Sequence, residues 1–302
     1  MCHNVSMKKS WYVFGLILGM VLLAILQMPD GKMRIIACDV GQGDAILIIK
    51  GNNQVLVDGG PSGEKILSCL ERHIPYWDRT IELIVLTHAD YDHMNGLASV
   101  IDRYELIQFV TADGVHSTRA LARLISGLRE FSISVDSVEQ GDIVRVGDIE
   151  NGSGIVLDVL WPPDVEEQYV AMYTSEINEE ESKRILGASA KRGDMNERIV
   201  VMMLEESGYR ALLVGDSGIQ TEKELVEDGL LGKIDYLKLG HHGSKNSTGL
   251  EMLEATSPEL AVISVGKNRY GHPTEEVLTR LEDEGIRVLR TDLEGDVVVE
   301  IE

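Results

Sequence analysis

Six residues, His88 to His93, carry four side chains of metal-ligand type: His88, Asp90, Asp92 and His93. They follow Ile81-Glu82-Leu83-Ile84-Val85-Leu86, a short run of apolar and β-branched residues that reads as a buried strand. The ligands therefore stand where a buried strand ends, which is where layered α/β proteins place their chemistry. Imidazoles and carboxylates at this density repel one another or lose solvation unless a positive charge sits among them. A divalent cation supplies that charge. A polar loop capping the helix expected from Gly96, with Asp92 near the N-cap, explains one carboxylate. It does not explain two imidazoles and a second carboxylate.

Around this segment strands and helices alternate. Arg34–Val40, Ala45–Lys50 and Gln54–Val57 read as strands with a turn at Gly51-Asn52-Asn53, and Glu64–His73 has helical apolar spacing. Helices over Gly96–Tyr104 and Ser117–Leu128 flank a strand over Leu106–Val110, and Ile155–Leu160 is a strand stopped by Trp161-Pro162-Pro163. Asp164 to Glu197 is polar and acid-rich, an inserted excursion that reads as a lid or a disordered segment. The second half repeats the pattern. Strands are expected over Ile199–Leu204, Arg210–Val214, Ile234–Leu239 and Leu260–Val265, with helices over Thr221–Glu227, Leu250–Ala255 and Thr274–Glu284. Two further strands surround Glu294-Gly295. Two β-rich halves with helices outside give an α/β fold, a four-layer αββα sandwich.

The His88–His93 segment resembles the His-x-His-x-Asp-His signature of the metallo-β-lactamase superfamily, with Asp90 where the second His normally stands. That variant is characteristic of the hydrolase domain of ComEC-type DNA-uptake competence proteins. Asp39-Val40-Gly41-Gln42-Gly43-Asp44-Ala45 and Leu56-Val57-Asp58-Gly59-Gly60 resemble that family's first two strand turns. Leu237 to Lys245 and Gly266 to Pro273 resemble its C-terminal signature. The resemblance runs from about Met33 to Glu302 with the motifs in the family's order, and it implies the metallo-β-lactamase fold.

It also implies site residues. Expected metal ligands are His88, Asp90, Asp92, His93, a bridging Asp216, and one of His241 and His242. Adjacent residues on an extended chain point in opposite directions, so one of those two histidines faces substrate; which one is left open. Asp216 has a bland alternative as an N-cap for the helix near Ile219. Asp58, otherwise a turn residue, is expected to act in catalysis by orienting a metal-bound imidazole or water. His272 is expected on the substrate side or as a general acid, otherwise as a loop histidine. Ser244, Lys245 and Asn268 are candidate contacts to a substrate phosphate. A further superfamily histidine is missing, since none occurs between His116 and His241, and Asn196 stands in the corresponding region. One or two divalent ions are therefore expected. Carboxylate in place of imidazole at Asp90 hardens the site, so Mn²⁺ competes with Zn²⁺.

The 302 residues suffice for one large domain with a buried core, and a net charge of −22 opposes nonspecific duplex binding. Trp11 to Leu26 carries no charge and is just long enough for a membrane helix. Lys8 and Lys9 precede it and favour a cytoplasmic N-terminus, which puts the domain outside the membrane. A cleaved signal peptide and an interfacial helix are the competing readings of this segment. Residues 1–30 are thus expected to be a cytoplasmic tail and single-pass cell-membrane anchor, and 31–302 the hydrolase domain. Cys2, Cys38 and Cys69 give no framework of spacings, and the last two read as small buried core residues. His3, His73 and His116 read as structural or surface residues. The function expected is metal-dependent hydrolysis, of phosphodiesters and single-stranded DNA in particular, with a separate channel protein as possible partner. Hydrolysis of another small ester such as a choline phosphate or lactone, or a non-catalytic metal-binding accessory, are the alternatives.

Overall fold

The computed structural model describes residues 12–19, 28–112, 119–133, 135–163 and 199–301. Fourteen strands form two seven-stranded sheets among these residues. The first sheet holds β1 (Met33–Ala37), β2 (Ile46–Lys50), β3 (Asn53–Val57), β4 (Thr80–Leu86), β5 (Glu105–Thr111), β6 (Val135–Ser137) and β14 (Val297–Ile301). The second holds β7 (Ile143–Val146), β8 (Ile155–Trp161), β9 (Val201–Glu206), β10 (Tyr209–Leu213), β11 (Tyr236–Lys238), β12 (Leu260–Ile263) and β13 (Arg287–Arg290). Strand order is β14-β1-β2-β3-β4-β5-β6 in one and β13-β12-β11-β10-β9-β8-β7 in the other. Each sheet is antiparallel at one side and parallel at the other, with β3 to β6 and β10 to β13 running parallel.

The expected four layers follow from which residues are buried. Ile35 and Ile36 are both fully buried, as are Leu83 and Ile84, although neighbours on a strand point to opposite faces. Both faces of each sheet are therefore covered, and the strands read as continuous apolar runs rather than alternating ones. Ile35, Ile48, Val55, Leu83 and Val85 pack between the sheets against Leu157, Met202, Ala211 and Val262. Ile36, Leu47, Leu56 and Ile84 face outward onto helices α1 (Gly63–His73), α2 (Tyr91–Met94), α3 (Leu97–Ile101) and α4 (Arg119–Glu130). On the other flank Val201, Met203, Leu212 and Leu237 meet α5 (Ile219–Glu227), α6 (Leu250–Thr256) and α7 (Glu275–Asp283). Each such side chain stabilises the fold by roughly 1.5–3 kcal/mol through burial.

Two expectations are corrected, and the two C-terminal strands are present as expected. The helix predicted over Gly96–Tyr104 is shorter, α3 alone, and a separate short helix, α2, precedes it across Asn95-Gly96. Gly96 packs so closely on Gly59 that an added Cβ would lie 2.0 Å from the Gly59 carbonyl oxygen, and its N–H donates to the Gly60 carbonyl at 2.8 Å. Cys38 and Cys69 are buried as expected but are joined in a disulfide that ties the end of β1 to α1. The two C-terminal strands lie in different sheets, with α8 (Thr291–Glu294) between them, and β14 returns to pair with β1. Strands β6 and β7 were not expected; both are short edge strands with exposed positions.

No helix of the described residues is long and apolar enough to cross a membrane. Of the expected anchor, residues 12–19 are helical and exposed and most of the rest lies outside the described residues. Asp164–Glu197, with Asn196, and His3, His116 and Cys2 also lie outside them.

Candidate metal centre

Two lips, one from each sheet, meet at the carboxyl ends of the parallel strands. On the first, β3 runs into Asp58, a buried residue in the left-handed region at φ 60°. Its backbone N–H donates to the Val85 carbonyl, which fixes it beside the end of β4. Its Oδ1 accepts the Thr87 N–H at 2.8 Å, and its Oδ2 accepts the Thr87 hydroxyl at 2.7 Å and the His93 Nδ1–H at 2.8 Å. Having given its proton to Asp58, the Thr87 hydroxyl accepts from His88 Nδ1–H at 3.0 Å. The network thus assigns the Nδ1–H tautomer to both imidazoles and turns both Nε2 lone pairs toward the cleft. Asp58 acts on His93 and on Thr87 and is a positioning residue, the orienting part expected of it.

Asp92 and His93 sit on the first turn of α2, where the N-cap is Asp90 and its side chain makes no capping bond. Neither carboxylate is spent on the helix. The Asp92 backbone is held from β1–β2: its carbonyl accepts the Asp44 N–H at 3.1 Å, and a Cβ on Gly43 would lie 2.2 Å from that oxygen.

On the second lip β10 leads to Asp216. The N-cap of α5 is Gly218, so Asp216 does not cap it. After β11 the chain makes a 3₁₀ turn, Gly240–Gly243, in which His241 and His242 both adopt left-handed conformations at φ 46° and 54°. Such backbone costs a non-glycine residue roughly 1–3 kcal/mol and gathers at functional sites. The chain here is not extended, so the two rings diverge for a different reason than strand alternation. His242 is buried, and its Nδ1–H donates to the Ser264 carbonyl at 2.9 Å. His241 is partly exposed, with Nε2 3.8 Å from Asp216 Oδ2. The second histidine, not the first, enters the buried cluster.

Three imidazoles therefore spend Nδ1–H on protein acceptors and present Nε2 to one space around Asp216. His93 Nε2 lies 3.3 Å from Asp216 Oδ1, and His242 Nε2 lies 3.7 Å from Asp216 Oδ2 and 3.4 Å from Asp92 Oδ2. His88 Nε2 is 4.0 Å from Asp216 Oδ2 and 3.8 Å from Asp90 Oδ2. His93 Nε2, His242 Nε2 and Asp216 Oδ1 are buried and make no hydrogen bond. Unpartnered buried polar atoms that converge are costly unless a cation joins them. Donor sets His88–His93–Asp216 and Asp92–His93–His242 each bring one ligand atom per residue within 4.8 Å of the others. Imidazole and carboxylate donors of this kind fit a divalent metal.

The local field agrees. Burial opposes charge on His93 and His242, yet Asp216 with Asp58 raises the first well above its ordinary value, and Asp216 with Asp44 raises the second to about 10. Asp216 is held well below the carboxylate range, since His242 and His93 outweigh its burial. Burial and neighbouring His93 lower His88. A field that favours a proton at Nε2 of His93 and His242 favours a cation there as well, and metal binding exchanges one for the other.

Sequence reasoning missed Thr87, Asp44 and Lys238. Lys238 is buried at the end of β11, where its ammonium donates to Asp44 Oδ2 at 2.5 Å and to the Leu239 carbonyl at 2.7 Å. Asp44 Oδ1 lies 3.5 Å from His242 Nδ1. One residue of the first sheet thus braces Asp92 by its backbone and His242 by its carboxylate. Asp44 and Lys238 both stood within motifs quoted above, but nothing local joins them, since they are 194 residues apart.

The remaining expected residues divide. Asp90 is exposed at the rim within reach of His88. His272 is partly buried, its ring 5.7 Å from that of His241; burial, then His241 and His242, lower its pKa. Ser244 is buried, its hydroxyl accepting the Asn246 N–H, and Lys245 is exposed beside it. Asn268 is corrected. Its oxygen accepts N–H groups of Tyr270, Gly271 and His272 and its amide donates to the Gly266 and His272 carbonyls, so it shapes the loop instead of touching substrate.

Residues 38–169 match the model of the metallo-beta-lactamase superfamily. Over those residues the chain resembles that superfamily. Its relatives include ComE operon protein 3 of Bacillus subtilis, 28% identical over 92% of this chain and 34% of that protein. Competence protein ComA of Neisseria gonorrhoeae is 27% identical over 95% of this chain and 35% of its own length. The chain spans about a third of the length of these relatives. The solved metallo-beta-lactamase fold protein YhfI from Bacillus subtilis superposes with a TM-score of 0.57 at 10% identity, covering 89% of this chain and all of that one, and so supports the two-sheet fold. The described residues thus have this two-sheet fold, and a competence protein is among the chain's relatives.

Proposed function

We propose that this domain hydrolyses phosphodiesters, with DNA as the polymer. The observation that carries the reading is the convergence of His88, His93 and His242 Nε2 on Asp216, joined to relatives that are competence proteins. A divalent ion held there, Zn²⁺ or Mn²⁺ in one or two positions, would supply Lewis acidity that makes water a usable nucleophile near neutral pH and offsets charge on phosphoryl oxygens. His88, Asp90, Asp92, His93, Asp216 and His242 are its proposed holders. Asp58, Thr87 and Asp44 keep the donors in place before substrate arrives. His241 and His272 line the open side of the cluster, where a neutral imidazole can take or pass a proton at the scissile oxygen. Lys245 supplies an exposed positive charge beside the buried turn, and Ser244 shapes that turn.

The domain is proposed to work outside the cytoplasmic membrane, tethered by the segment from Trp11 to Leu26, with a separate membrane channel as partner. The Cys38–Cys69 disulfide supports that side, because such bonds persist in oxidising compartments. The test is the purified chain, its metal content determined, assayed on single-stranded DNA, duplex DNA, a choline phosphate and a lactone. Cleavage of DNA with either metal is expected. Turnover of a small ester with intact DNA throughout would move the substrate to that ester.

A further inference from the structure

Tyr270 stands on the second lip with 75% of its surface exposed, on a loop whose backbone is fixed. The Asn268 side chain braces that loop at five points, including the Tyr270 N–H at 3.0 Å. A single exposed aromatic is ordinary on a protein surface. This one is held by a built loop beside the cluster. Its ring centroid lies 5.8 Å from that of His272 at an angle of 32°, and His272 in turn neighbours His241 at the edge of the donor set. A row of rings thus leads outward from Asp216. Lys267 and Arg269 on the same loop and Lys245 on the adjacent turn are exposed, and none forms an ion pair among the described residues, in a chain of net charge −22. From the first lip Tyr91, 62% exposed, sits between Asp90 and Asp92.

We propose that Tyr270 is a stacking platform for a nucleobase next to the scissile phosphodiester, which makes the cleft a site for single-stranded DNA; this rests on the phosphodiesterase reading. A rigid aromatic face accepts any base and is ordered before binding, so little freedom is lost on contact. The three local cations track the backbone while the acidic remainder of the surface disfavours a duplex lying along it. A single strand can turn one base onto Tyr270 with its phosphate at the cluster; a paired base cannot leave its stack without cost.

The experiment uses the full chain in detergent, loaded with Mn²⁺ or with Zn²⁺, and a labelled single-stranded oligodeoxynucleotide with or without abasic sites. Anisotropy gives binding and steady-state cleavage gives KM. Tyr270→Ala is expected to weaken binding and raise KM by about tenfold for the base-bearing strand. It should leave the abasic strand unchanged, and Tyr270→Phe should behave as wild type. No effect, an equal effect on both strands, or absence of any binding by the wild-type chain overturns the platform. Tyr270-dependent binding without cleavage under either metal would retire the phosphodiesterase reading and keep the platform.

Discussion

The two lips of the cleft reach the same end by different means. On the first lip the support is local: Asp58, Thr87 and His88 follow the ends of two adjacent parallel strands and His93 the short helix after them, and one carboxylate orients one imidazole and the hydroxyl that orients the other. On the second lip the support is long-range. His242 leans on the Ser264 carbonyl, on strained backbone, and on Asp44, which crosses from the other sheet with Lys238 to balance it. A local constellation tolerates shifts between the sheets. The long-range one depends on them, so the second lip is where packing and chemistry are coupled.

The largest expected effect comes from removing what both lips share. Asp216→Ala should abolish hydrolysis and metal retention while the fold survives, since the residue caps no helix and packs no core. Elemental analysis beside turnover checks it; full activity with full metal content would remove Asp216 from the centre.

Breaking the long-range brace should cost stability first. Lys238→Met leaves the Asp44 carboxylate buried without its cation, which typically costs about 3–5 kcal/mol. The double variant Asp44→Asn with Lys238→Met should recover much of that, because a neutral pair needs no compensation. Urea unfolding of the wild type, Lys238→Met, Asp44→Asn and the double variant measures the coupling. Additive losses would mean that the pair does not act as a unit.

On the local lip the expected loss is smaller and falls on the metal. Asp58→Ala frees His93 to rotate and leaves its Nδ1–H unpaired, and supporting residues of this kind typically change metal affinity or activity by about 10–100-fold. Metal titration of the variant decides this; unchanged affinity would reduce Asp58 to a turn residue.

The contrast also explains what the sequence could disclose. The candidate ligands His88 to His93 follow a strand within one short segment, and Asp58 follows another, so strand-end logic marked both positions. The layers were readable because continuous apolar runs such as Leu83-Ile84-Val85 can only be strands covered on both faces. Hidden were features set by distant contact. The Lys238–Asp44 pair, the Cys38–Cys69 bond and the β1–β14 pairing join positions that no local pattern connects. The choice between His241 and His242 stayed open for another reason: strand alternation does not apply to two residues that are left-handed. Asn268 shows a third limit, because a polar side chain reads alike whether it faces a ligand or its own loop.

The smallest effect tests whether the second lip's support responds to pH. Glu222 of α5 is buried and accepts the Thr248 N–H at 2.6 Å and the Gly249 N–H at 2.7 Å, holding the segment that follows Ser244 and Lys245. Burial raises its pKa to about 7, against the pull of those N–H groups and of Arg280. A carboxyl raised in the folded state keeps its proton where the unfolded chain has lost it. Its stabilising contribution is therefore full below the ordinary glutamate value of 4.5 and declines as pH rises through about 7. Glu222→Gln cannot ionise, so its unfolding free energy should fall less than that of the wild type between about pH 5 and pH 8, by a difference of up to ~3 kcal/mol. Titrations of the site histidines are common to both proteins and cancel in the comparison. Parallel pH profiles would show that the loop after His242 is held by the two N–H bonds alone.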